Sequence, residues 1–147
     1  MRAKLTLNSL SDNFLNRPMI LIADDNADVR RMVRNLIEDI DPEIVECANG
    51  EQAITEFERS HADLVVMDIN MHPLDGLTAM RAILERDPAA KVVIVSQHQD
   101  ARTRDTALAM GAHAFIGKED LMQLRDLINE EIGDRAMVAN VSNERDG

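Results

Sequence analysis

The chain has 147 residues, of which 45% are apolar, a size and composition that suit one domain with its own core and exclude a disordered chain. With no Trp and no Tyr the core has to be aliphatic. A formal net charge of −11 argues against a nucleic-acid surface or an anionic membrane, so the expected output is through another protein. The single cysteine, Cys47, rules out an intrachain disulfide and fits a reduced, cytoplasmic setting, and no apolar run has the length of a signal-peptide core or a membrane span.

Residues 1–17 show no periodicity and read as an N-terminal extension or short helix. From Pro18 the chain alternates. Met19-Ile20-Leu21-Ile22-Ala23 is a continuous apolar run, the mark of a strand buried on both faces. Val29, Val33, Leu36, Ile37 and Ile40 then recur at helical spacing, with Arg30, Arg31 and Arg34 facing elsewhere, and Pro42 stops that helix. Ile44 to Ala48 reads as a second strand, Asn49-Gly50 as a turn, and Ala53, Ile54 and Phe57 as the inner face of a helix. Asp63 to Met67 is a third strand, ending abruptly at Asp68. A loop from Asn70 to Gly76 leads to a helix carrying Leu77, Met80, Ile83 and Leu84, which Pro88 ends. Val92 to Val95 is the fourth strand, closed by Ser96. A helix over 101–110 stops at Gly111, and Ala112 to Ile116 is the fifth strand. Past the Gly117-Lys118 turn, Leu121, Leu124, Leu127, Ile128 and Ile132 mark a last amphipathic helix, so the domain runs over 18–132 and a polar tail over 133–147.

Strands alternating with helices predict an α/β fold, a five-stranded parallel sheet doubly wound with helices on both faces. The common order for such a chain is 2-1-3-4-5, which puts ligands outside the carboxyl ends of the strands, between strands 1 and 3. Those ends carry Asp24, Asp25 and Asp68, with Ser96 after strand 4 and Lys118 after strand 5. Three carboxylates held together repel unless a cation intervenes. A hard, oxygen-rich site suits Mg²⁺, which keeps waters and also binds a phosphate oxygen. A carboxylate can attack phosphorus, while a metal, a lysine and a hydroxyl neutralise the phosphoryl oxygens. Each residue taken singly has a plainer reading: an acidic pair after a strand is often a helix cap, Ser96 a turn residue, Lys118 a solvated lysine. Asp68 is harder to dismiss because it interrupts an apolar strand, and the joint placement of all five residues carries the inference.

The series Asp24-Asp25, Met67-Asp68-Ile69-Asn70-Met71, Asp75-Gly76, Val95-Ser96, Gly111-Ala112 and Lys118 resembles the receiver domain of two-component response regulators, including the stand-alone chemotaxis regulators, over about Met19 to Ile132. The resemblance implies a flavodoxin-like sheet of order 2-1-3-4-5. It makes Asp68 the phosphoacceptor and gives Mg²⁺ direct ligands in Asp25, Asp68 and the backbone carbonyl of Asn70, with Asp24 acting through a metal-bound water. Ser96 and Lys118 hold phosphoryl oxygens, and Phe115, three residues before Lys118, stands at the family's aromatic switch position, with Ser96 as the other switch residue. The implied donor is a sensor histidine kinase or a histidine phosphotransfer protein, and the implied output is altered contact with a downstream protein, with a homodimer left open. The chain is then a signalling phosphoacceptor that assists its own phosphotransfer and dephosphorylation, not a turnover enzyme. Residues 133–147 are too few for a DNA-binding module, which fits a stand-alone or excised receiver. Two competitors are a receiver-like scaffold without phosphotransfer, disfavoured by the complete acid, serine and lysine set, and an aspartate-nucleophile hydrolase, disfavoured because the segment Asp24 to Asp28 lacks the Asp-x-Asp-x-Thr pattern.

Four positions depart from the family. His72 replaces the usual proline four residues after the acceptor, with Pro73 following, and should alter the loop path only locally, as a solvent-exposed residue. Glu119 follows Lys118 where proline is frequent, and Phe115 lacks the tyrosine hydroxyl. Gln97, followed by His98, stands where a small residue is usual, and its length should narrow access to the phosphoryl group. Gln97→Ala is expected to speed either self-dephosphorylation or phosphorylation by small phosphodonors, measured as rates of acyl-phosphate loss and gain; unchanged rates for both would remove Gln97 as a gate.

Overall fold

The computed structural model describes residues 17–97 and 100–133. The expected extension before Arg17, His98 and the tail beyond Gly133 lie outside the described residues. The elements are β1 (Met19–Ala23), α1 (Ala27–Leu36), a 3₁₀ turn (Glu38–Ile40), β2 (Glu43–Cys47), α2 (Gly50–Ser60), β3 (Leu64–Asp68), α3 (Gly76–Arg86), β4 (Val92–Ser96), α4 (Ala101–Ala109), β5 (Ala114–Gly117) and α5 (Leu121–Ile128), the last running into a π turn at Asn129–Gly133. All pairings are parallel and the order is β2-β1-β3-β4-β5, as expected.

The continuous apolar strands follow from a two-sided core. Successive side chains point to opposite faces. Leu21, Val65, Met67, Val92 and Ile94 pack on one side with Ala53, Phe57, Met80 and Ile83 of α2 and α3 and Ala107 of α4. Ile20, Ile22, Leu64, Val66, Val93 and Val95 pack on the other with Val33 of α1 and Leu124 and Ile128 of α5. Strands β1, β3 and β4 are therefore apolar at both parities, whereas edge strand β2 exposes Glu43 and Glu46, charges that discourage pairing with another sheet. Among the described residues, no helix is long and apolar enough to cross a membrane.

Three places differ from the sequence reading, each for a local reason. The first helix stops at Leu36 instead of running to Ile40; Ile40 sits in the separate 3₁₀ turn, which closes at Asp41 in the left-handed region (φ 56°) directly before Pro42. A residue before proline is pushed out of the right-handed helical region, so the helix cannot pass through it. The fifth strand begins at Ala114, not Ala112. Gly111 (φ 111°) ends α4 with its amide bonded to the Leu108 carbonyl and the Ala112 amide bonded to the Ala107 carbonyl. That pair of backward bonds is a Schellman cap, which needs a glycine at its left-handed position. Asn49-Gly50, read as a turn, is a helix start: Asn49 Oδ1 accepts from the Gln52 amide at 2.9 Å and Gln52 Oε1 accepts from the Ala48 amide at 2.8 Å.

Cys47 is buried at the end of β2 within the first of these cores. Burial, aided by the negative charge of Glu56 and opposed by Arg30, pushes its thiol pKa up to about 11. Because the thiolate is the reactive form, alkylation of the native protein at neutral pH should run on the order of a hundredfold slower than that of an unhindered cysteine, rising to the ordinary rate in denaturant. Fast labelling of folded protein would contradict this packing.

Candidate functional site

The carboxyl edge of the sheet gathers the expected side chains from four strands. Asp24 follows β1, Asp68 is the last residue of β3, Ser96 the last of β4, and Lys118 the first residue past β5. Asp24, Asp68 and Ser96 are buried, Asp68 to 2% exposure, while Asp25 is exposed. Backbone bonds set their heights: the Asp24 amide bonds to the Cys47 carbonyl at 3.0 Å, and the Lys118 amide to the Ser96 carbonyl at 2.9 Å. Asn26 caps α1 with its side chain and also donates its backbone amide to Asp24 Oδ1 at 2.9 Å.

Lys118 Nζ lies 3.0 Å from Asp24 Oδ2 and 3.2 Å from Asp68 Oδ1. The contact with Asp68 is an ion pair without hydrogen-bond alignment, so Oδ1 of this buried carboxylate has no hydrogen-bond donor. Burial, and next the negative charge of Asp24, raise the Asp68 pKa above the ordinary carboxylate range; Lys118 and the Asn70 backbone amide pull the other way. For Lys118, burial favours the neutral amine but is outweighed by Asp24 and then Asp68, which hold its pKa above the usual lysine value. Carboxylate oxygens of Asp24, Asp25 and Asp68 lie within 4.8 Å of one another. An anionic, all-oxygen donor set with one buried oxygen lacking a donor fits a hard divalent cation such as Mg²⁺.

The remaining expected residues fall nearby with different exposure. Asn70, exposed in the loop after β3, brings its amide to Asp68. Phe115 is buried against the core on the α2–α4 side of the sheet. His72 is exposed, as expected, and joined to Pro73 by a cis peptide bond; Gln97 is exposed directly beyond Ser96.

The contacts of two residues at the site lay beyond the sequence reading. Gly76 starts α3 beneath the acceptor: a Cβ there would stand 1.8 Å from the Asp68 carbonyl oxygen, so only glycine lets the loop close. The Asp-Gly pair was a visible signal, but it did not say what the glycine touches. Arg30, assigned by helical spacing to an outward face, instead turns back to the carbonyl of Asp24; nothing in the local pattern marks that.

Comparison with known proteins places this arrangement in context. Residues 20–129 match the family described as response regulator receiver domain. The chemotaxis protein CheY of Listeria monocytogenes is 37% identical over 100 residues, covering 67% of this chain and 84% of that protein. A protein-glutamate methylesterase/protein-glutamine glutaminase of Archaeoglobus fulgidus is 34% identical over 127 residues, covering 84% of this chain but only 36% of that longer protein. Among solved structures, a CheX–CheY–BeF₃–Mg²⁺ complex from Borrelia burgdorferi aligns with a TM-score of 0.69 at 25% identity, covering 76% of this chain and 89% of that one.

A carboxyl whose pKa is raised by folding binds its proton more tightly in the folded chain, so at neutral pH its ionised form opposes folding. Metal-free Asp68→Asn is therefore expected to be more stable than wild type, with a higher Tm. A lower Tm for the variant in thermal melts with chelator present would contradict the charge balance described here.

Proposed function

This chain belongs to the response regulator receiver family, and from that premise we propose that Asp68 accepts a phosphoryl group and that residues 18–132 form the receiver which carries the signal. The observation that carries the reading is the convergence of Asp24, Asp25 and Asp68 on one spot, with Lys118 Nζ within 3.2 Å of the buried Asp68 oxygen that lacks a hydrogen-bond donor. Asp25, Asp68 and the Asn70 backbone carbonyl would hold Mg²⁺, with Asp24 acting through water. When bound, the ion supplies positive charge to a phosphoryl oxygen.

Asp68 is suited to the nucleophile's part because it is buried at the end of a rigid strand, and an aimed carboxylate needs no reorganisation to attack. Its oxygen forms the new bond to phosphorus as the donor's P–N bond breaks, with a histidine kinase or a histidine phosphotransfer protein as donor. Lys118, already paired with Asp68, follows the incoming charge to a phosphoryl oxygen, and the Ser96 hydroxyl donates to another. The transfer adds about two negative charges and strong acceptor oxygens. Ser96 is then drawn toward Asp68 and Phe115 takes up the space left, which alters the α4–β5–α5 surface and its contacts with a downstream protein in the cytoplasm. Support for the ligand chemistry comes from the Borrelia neighbour, whose name places it with BeF₃ and Mg²⁺. The self-dephosphorylation expected from the sequence belongs to the same reading.

Phosphotransfer from candidate kinases in Mg²⁺ should label wild type with a base-labile phosphate and leave Asp68→Asn unlabelled. Equal labelling of both would remove Asp68 as acceptor, and wild-type protein that takes neither phosphate nor BeF₃ would favour the scaffold instead.

A further inference from the structure

We propose that Arg30 is a positioning residue for the divalent cation, holding the Asp24–Asp25 pair in place from the backbone side; this rests on the reading of that pair as cation ligands. Arg30 Nη1 donates to the Asp24 carbonyl at 2.6 Å, and its Nε donates to Glu46 Oε1 at 3.1 Å. One planar guanidinium thus ties α1 to the end of β1 and to edge strand β2.

The bond falls on a sensitive place. The Asp24 carbonyl belongs to the peptide plane shared with Asp25, so gripping that oxygen fixes the orientation of the plane from which both carboxylates depart. The rest of Asp24 is also held: its amide by the Cys47 carbonyl, Oδ1 by the Asn26 amide and Oδ2 by Lys118. Arg30 completes a residue with every polar group engaged.

An ordinary surface ion pair would look different. The Arg30 side chain is 17% exposed, against 48% for Arg34, which reaches the other oxygen of Glu46 at 3.3 Å, and 71% for Arg31. Fully charged guanidinium next to a dication site is electrostatically unfavourable, so charge alone would keep an arginine away from this carbonyl. Glu46, shared by Arg30 and Arg34, offsets that charge and steers the fork. Lysine could not reproduce it, because a single ammonium has no rigid pair of donors to span the Asp24 carbonyl and Glu46 together.

The two roles differ in sign. If Arg30 acted on the cation only through its charge, Arg30→Met would tighten Mg²⁺ binding. If it positions the acid pair, Arg30→Met weakens it, by about tenfold as for other residues that orient metal ligands from behind. The protein lacks Trp and Tyr, so affinity is best read from amide shifts in an NMR titration with Mg²⁺, or from Mn²⁺ bound in electron paramagnetic resonance. Arg30→Lys, which keeps the charge, should show a partial loss, and Arg34→Met should stay within about twofold of wild type, since an exposed ion pair contributes little. Thermal melts without metal verify that each variant is folded, and Arg30→Lys carries the comparison should Arg30→Met not fold. Unchanged or tighter binding by the Arg30 variants beside normal wild-type affinity overturns the role of Arg30 alone. Absence of Mg²⁺ and Mn²⁺ binding in wild type overturns the cation reading and this role with it.

Discussion

Two carboxylates facing each other inside a protein repel, and here the repulsion between Asp24 and Asp68 is met by one ammonium, Lys118, 3.0 and 3.2 Å from them. The charge balance is local and incomplete. One lysine faces two buried acids and a third, exposed one at Asp25, and burial together with the negative charge of Asp24 raises the Asp68 pKa. Such a site has an affinity for added positive charge built into it. It also gives Lys118 two alternatives, since an ammonium held by carboxylates can move to a stronger anion formed on one of them.

The sheet makes this possible by geometry alone. Parallel strands bring all their carboxyl ends to one edge, and the order β2-β1-β3-β4-β5 puts the strand ending in Asp68 between those leading to Asp24 and to Ser96. Lys118 comes from the far edge strand, yet its amide bond to the Ser96 carbonyl fixes it at the height of the acids, and a long side chain covers the remaining gap. The two-sided core keeps the strands from sliding: a shift of one residue would exchange the side chains that pack on α1 and α5 for those that pack on α2 and α3. Rigidity of the scaffold and precision of the site therefore have one cause.

Around that edge the backbone is held as firmly as the side chains. Gly76 permits the loop after β3 to close onto the Asp68 carbonyl, Asn26 caps α1 while bonding Asp24, and Arg30 grips the carbonyl behind the acid pair. Glu131, in the π turn that extends α5, fastens the other end of the domain by accepting from Lys91 Nζ at 2.6 Å and pairing with His113 at 2.8 Å. Away from these fixed points His72 and Gln97, the loop positions expected to depart from the family, are both exposed.

How much of this was legible beforehand depends on the range of each interaction. Strand positions, helix faces and the set Asp24, Asp25, Asp68, Ser96 and Lys118 were determined by the sequence by itself, because a run apolar at both parities, a helical repeat and a polar residue at a strand end are local patterns. Two boundaries were misplaced where capping overrode hydrophobic spacing, the end of the first helix before Asp41-Pro42 and the start of the fifth strand after Gly111-Ala112, although the residues responsible were in view. Where side chains aim depends on the assembled fold. The Lys118 ammonium lies between two acids 94 and 50 positions away, the Arg30 fork spans Asp24 and Glu46, and the missing Cβ of Gly76 leaves room for a carbonyl of another strand. Periodicity records which face a residue occupies. It carries no information about a long polar side chain turning back across that face, since such contacts depend on distances that exist only once the strands are side by side.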